Sequence, residues 1–154
     1  MELMRATQQG LWHARFGQLL PTRHARTGLY SYWYFRLRIQ EEIERSQRYG
    51  DPFVLVVAKP EKPPSGEPDG WLGENVHSLL RKTDLPAVLR GGSLGIILPH
   101  TEAKGTGTFQ KRLATRLQPQ ALRIGIAEYP RDGEDIDALL NAAETATGSN
   151  AAAA

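Results

Sequence analysis

The stretch that decides the fold runs from Arg81 to Pro99: Arg81-Lys-Thr-Asp84, Leu85-Pro-Ala-Val-Leu89, Arg90-Gly-Gly-Ser93 and Leu94-Gly-Ile-Ile-Leu-Pro99. It reads as the end of a helix, a short apolar strand, a two-glycine turn and a second apolar strand. Adjacent glycines supply the positive φ angles of tight turns, so two apolar runs joined around Gly91 and Gly92 predict a β-hairpin. On these residues alone the hairpin is a piece of core. Arg81 and Asp84 alone have the spacing of an exposed i,i+3 ion pair, worth only about 0.2–0.5 kcal/mol.

Upstream, Phe53 to Ala58 is a run of apolar residues without alternation, the pattern of a strand covered on both faces, and it predicts the central strand. Before it, Phe35, Ile39 and Ile43 lie on one face of a helix over Ser31 to Tyr49, with Glu41/Arg45 and Glu44/Arg48 as i,i+4 pairs on the others. Gly50 and Pro52 supply its stop. Residues 1–22 carry Leu3, Leu11, Trp12, Phe16, Leu19 and Leu20 as a loose helical stripe ended by Pro21. Such a helix or linker packs on its own domain or on a partner helix.

Between Lys59 and Trp71 the prolines 60, 63, 64 and 68 exclude both helix and ladder and predict a loop. Its Pro60-Glu61-Lys62-Pro63 spacing matches a proline-rich docking peptide, a short and common pattern. Leu72 to Lys82 reads as a helix with Val76, Leu79 and Leu80 inward. Beyond the hairpin, Thr101 to Leu117 reads as a helix burying Phe109, Leu113 and Leu117. Gln120 to Tyr129 reads as a strand, Asp132-Gly133 as a turn, and Asp135 as the N-cap of a helix over Ile136 to Thr147. The tail from Gly148 is expected to fray. The order helix, strand, helix, hairpin, helix, strand, helix predicts an α/β sandwich, a sheet containing one antiparallel pair and flanked by helices.

Composition bounds the function classes. A chain of 154 residues suits one domain that buries about 70% of its unfolded surface. A net charge of +2 is too small to argue for nucleic acid. The absence of cysteine rules out disulfides, thiol catalysis and thiolate metal sites, and suits a reducing cytoplasmic setting. The apolar runs fall short of the roughly 20 residues needed to span a bilayer, and the N-terminus lacks a secretory apolar core. The four histidines have no metal-site spacing. Asp132, Asp135 and Asp137 lack the ligand pattern of a calcium loop, and Ser93 has no histidine at a nucleophile spacing.

In order along the chain, several motifs resemble the GGDEF (diguanylate cyclase) domain from about His24 to Asn150. Thr27-Gly28-Leu29 with Phe35 resembles the family's opening motif, D-x-L-T-G-L-x-N-R-x-x-F. Arg48-Tyr49-Gly50-x-Pro52 resembles the lead into its first strand. Arg81-x-x-Asp84 stands in the place of its product-binding motif. Ile124-Gly125-Ile126-Ala127-x-Tyr129-Pro130 resembles its fourth strand, and Glu144 with Gly148-x-Asn150 its closing helix, here shortened. The resemblance implies a nucleotidyl-cyclase-like sandwich with a central mixed sheet. It divides the chain into residues 1–22, a GGDEF-like domain over 23–150, and a disordered tail over 151–154.

The family's chemistry needs acidic positions that hold divalent cations over a triphosphate. Counted from Pro52, the strand-end aspartate falls on Lys59, whose ammonium repels a cation. Counted back from Pro99, the signature pentapeptide falls on Arg90-Gly91-Gly92-Ser93-Leu94, with Gly92 and Ser93 in place of its acidic pair. The guanine-reading pair should fall where the proline-rich loop stands, and Ser31 replaces the opening asparagine. The resemblance therefore implies a degenerate, non-catalytic domain that binds no metal and keeps the product site.

That site is expected to bind cyclic di-GMP through Arg81 and Asp84. A guanidinium fork can engage guanine O6/N7 or a phosphate, and a carboxylate can accept from guanine N1–H and the 2-amino group. A second arginine from a neighbouring domain often completes the family's site, and position points to Arg112, with Arg116 as the alternative. Partners implied are cyclic di-GMP and a second copy or a signalling protein, with neither nucleic acid nor membrane insertion. The rival expectation is an interaction module without a ligand, which has lost both sites.

Overall fold

The computed structural model describes residues 22–24, 27–62, 71–72, 74–118 and 120–153. The N-terminal stripe up to Pro21 and most of the proline-rich loop lie outside the described residues. Helix α1 (Tyr32–Tyr49) buries Phe35, Ile39 and Ile43, the stripe read from their spacing, and Gly50 caps it with its N–H on Ser46 O at 2.7 Å. Its ion pairs include i,i+3 contacts: Arg45 holds Glu42 at 2.8 Å, three residues back, and Arg38 holds Glu41 at 3.1 Å.

Strand β1 (Phe53–Pro60) lies inside a four-stranded sheet between β3 (Leu94–Pro99) and β4 (Leu122–Tyr129), with β2 (Leu85–Val88) beyond β3. Every residue from Phe53 to Ala58 is fully buried, as the continuous apolar run requires of a strand with two covered faces. Phe53, Leu55 and Val57 pack in one core with Phe35, Ile39 and Leu139, while Val54, Val56 and Ala58 pack in the other with Val76 and Leu113.

The expectation of a mixed sheet is corrected: all three strand pairings are antiparallel. Among the described residues, parallel pairing is confined to a bridge between Tyr30 and Ala87. There Tyr30 N–H donates to Pro86 O at 3.0 Å and Val88 N–H donates to Tyr30 O at 2.9 Å, so the chain entering α1 covers the β2 edge.

The segment expected as a helix over Leu72 to Lys82 is a short 3-10 helix (Glu74–Leu79), and the next helix, α2 (Gly107–Arg116), starts later than Thr101, behind a separate 3-10 turn at Ala103–Gly105. Asp135 caps α3 (Ile136–Ala153) as expected, accepting from Ala138 N–H at 2.8 Å. Where the sequence stops this helix at Thr147 and frays the tail, the backbone stays helical to Ala153. Helix α3 lies directly on β4. A Cβ at Gly125 would sit 1.9 Å from Ala143 O, so only glycine allows that approach. Among the described residues no helix is long and apolar enough to cross a membrane.

Candidate functional site

Antiparallel pairing of Leu85 with Ile97 and of Val88 with Leu94 builds the expected hairpin. The sequence-derived site residues fall at its two ends. At the open end Arg81 and Asp84 meet. Asp84 Oδ1 accepts from Arg81 Nη2 at 3.0 Å, and Oδ2 accepts from Arg81 N–H at 2.9 Å and from Nε at 3.4 Å. Arg81 Nη2 also donates to Pro99 O and to Thr101 Oγ1, both at 3.1 Å, and the Thr101 hydroxyl donates to Pro99 O at 2.9 Å.

The pair is therefore not the exposed surface bridge that spacing alone suggests. The Asp84 side chain is only 4% exposed and the Arg81 side chain 56%. A buried carboxylate survives because a charged partner and a backbone amide satisfy both of its oxygens. Half of the guanidinium fork is committed in return. Thr101 and the Pro99 carbonyl lie 20 and 18 residues further along the chain, beyond the reach of any local spacing pattern. Only the fold places the end of β3 against the start of β2.

At the closed end the turn spans Leu89 to Ser93, held by Leu89 N–H on Ser93 O at 2.7 Å and Gly92 N–H on Leu89 O at 3.1 Å. Gly91 and Gly92 take φ of 79° and 85°, the conformations for which two glycines were expected, within a longer turn than a two-residue one. Two aromatic side chains flank it. Trp71 Nε1 donates to Gly92 O at 3.0 Å, and the Arg90 guanidinium lies 5.1 Å from the centre of the Tyr32 ring. Neither contact carries a sequence signal, because 21 residues separate Trp71 from Gly92.

The remaining candidates lie elsewhere. Lys59, half-buried at the end of β1, pairs in register with the exposed Arg123 on β4, two cations side by side. Ser31 precedes the first turn of α1 without a side-chain cap bond. Arg112 and Arg116 lie on α2, where with Ser78 and Lys111 they line a groove of about 390 Å³ against the 3-10 helix over 74–79. Arg116 Nη1 donates to Ser78 Oγ at 2.6 Å. Neither Arg81 nor Asp84 lines that groove, so one chain does not bring Arg112 into contact with them. Among the described residues no three His, Asp or Glu side chains are grouped to hold a metal ion.

The model of the GGDEF-like domain family matches residues 48–147, from the end of α1 through all four strands and into α3. The chain belongs to that family. Solved structures share the fold of this GGDEF-like domain at low identity. Diguanylate cyclase SiaD from Pseudomonas aeruginosa, solved with its activator SiaC, superposes with a TM-score of 0.74 at 22% identity over 99% of this chain. The chain spans 64% of that SiaD chain. The GGDEF domain of DgcB from Caulobacter crescentus, solved in complex with c-di-GMP, gives a TM-score of 0.74 at 13% identity, covering 86% of this chain and 88% of that one. The GGDEF domain of FimX from Pseudomonas aeruginosa gives 0.73 at 14% identity, covering 88% and 96%. No curated protein sequence matches the chain.

Proposed function

We propose that this GGDEF-like domain is a non-catalytic receptor for cyclic di-GMP, with Arg81 as the principal contact. The observation that carries the reading is the guanidinium at the open end of the hairpin. It is more than half exposed yet fixed by Asp84, Pro99 O and Thr101 Oγ1. A donor already held in place loses little conformational entropy when a ligand arrives. The complex of the DgcB GGDEF domain with c-di-GMP supports this choice of ligand.

The residues at the cyclase positions do not fit a divalent cation. Lys59 beside Arg123 repels one, and Gly92 and Ser93 offer no carboxylate. Arg90, Gly91, Gly92 and Ser93 serve as a turn, and Leu94 opens β3. Coupling to a second copy or a signalling partner would follow if the ligand bound the paired state more tightly than the separated one. Arg112, on its separate groove, is available to such a neighbour.

The burial of Asp84 favours the rival reading, an interaction module in which Arg81 and Asp84 only tie β2 to the end of β3. Calorimetric titration of cyclic di-GMP into the wild type and Arg81→Ala separates the two. Micromolar or tighter binding that Arg81→Ala loses supports the receptor. Binding that survives the substitution moves the pocket away from Arg81. No binding to either protein, checked by a second method at raised concentration, rejects the receptor in favour of the module.

A further inference from the structure

We infer that the closed end of the sheet holds a diphosphate anion directly on the side-chain cations Lys59, Arg123 and Arg90, with no divalent metal between them. The inference goes beyond the receptor reading and does not depend on it. Lys59 continues the alternation of Phe53, Leu55 and Val57, which pack with residues of α1 and α3. Arg123 is its partner in register and shares that face, as does Gly125, two residues on, against Ala143 O of α3. Side chains directly opposite on antiparallel strands have Cβ atoms about 4.5–5.5 Å apart, and like charges placed there destabilise the pairing. The misfit of this position to a metal ion is therefore a fit to an anion.

The third cation comes from the turn. Ala58 pairs with Leu94, so residues 90–93 stand beside the end of β1. Arg90 lies over the Tyr32 ring, which packs on the same core as Val57. Arg90 and Arg123 are exposed and Lys59 is half-buried. Elsewhere on the surface cations meet acids, Arg36 with Asp137, Arg45 with Glu42 and Arg131 with Asp132. Among the described residues no acid pairs with Lys59, Arg90 or Arg123, and the exposed Glu61, two residues beyond Lys59, pairs with none of them. Phosphate oxygens suit this set: a guanidinium fork takes two of them side by side, and an ammonium adds a point charge. Two linked phosphates carry charge enough to meet cations from three elements, and a free divalent ion competes for the same oxygens.

Calorimetric titration of inorganic pyrophosphate and of GDP, which carries the same diphosphate, into the full chain with EDTA present tests this. Both should bind without metal. GDP more than about tenfold tighter than pyrophosphate marks a nucleotide as the source of the diphosphate, and nearer affinities mark the free anion; either supports the site. Lys59→Gln and Arg123→Gln should each weaken pyrophosphate at least about tenfold, the loss of one charge-assisted contact. Arg123→Glu, which gives Lys59 an internal partner, should abolish binding. Lys111→Gln, in the groove on α2, should leave the affinity unchanged. Absence of pyrophosphate binding would overturn the inference, as would binding that requires magnesium. So would binding that Lys111→Gln weakens as much as Lys59→Gln does, because the anion would then follow general charge. Cyclic di-GMP binding that depends on Arg81 stands or falls separately from each of these outcomes.

Discussion

At the open end of the hairpin a buried carboxylate is held by three donors from Arg81, while at the closed end, nine residues or fewer along the chain, Arg90 to Ser93 carries no acid at all. The first end is maintained by charge. The second is maintained by backbone geometry, two glycines at positive φ, with the Trp71 indole on Gly92 O and the Arg90 guanidinium over the Tyr32 ring. One supersecondary unit therefore keeps its shape while one of its ends holds a polar network and the other a plain turn. Fold and chemistry are separable here, because β2 and β3 are paired and buried whatever their ends carry.

Removing the charge at the open end has the largest expected effect. Asp84→Ala leaves the Arg81 amide and Nε without their acceptor and should cost about 1–3 kcal/mol in chemical denaturation. A loss below about 0.5 kcal/mol would make the pair a solvated surface bridge after all. At the closed end Gly92→Ala should cost about 1–2 kcal/mol, because φ of 85° is strained for a residue with a Cβ. An unchanged unfolding midpoint would mean that the turn relaxes freely and its geometry holds nothing.

Smaller changes sharpen the contrast. Trp71→Phe keeps the ring but removes the donor to Gly92 O, and should lower stability by about 1 kcal/mol, read as a thermal shift of about 2–4 °C. Arg90→Ala removes the cation over Tyr32 and should cost about 0.5–1 kcal/mol. That loss should vanish in a Tyr32→Leu background. If it persists there, the arginine acts through something other than the ring.

The strongest sequence signals were those that a single element satisfies on its own. The apolar run of β1 announced its two covered faces, the period of Phe35, Ile39 and Ile43 announced α1, and paired glycines announced the turn. Strand order was not legible, since six apolar residues fit a parallel or an antiparallel neighbour equally well. The 3-10 helix was missed because Val76 and Leu79, three apart, suit either helix type. At the site, spacing brought Arg81 to Asp84 but could not reveal which of the two is buried. That depends on Pro99 and Thr101, which only the pairing of β2 with β3 brings near.

The bridge between Tyr30 and Ala87 has a mechanical meaning. Two backbone hydrogen bonds fasten the chain that enters α1 to the middle of β2, between Asp84 and Arg90. Tension on the residues before Tyr30 is therefore delivered to β2 before it reaches the buried strand β1. The entry segment and the Arg81 corner are in series, like a cord tied to the strand that Asp84 leads into.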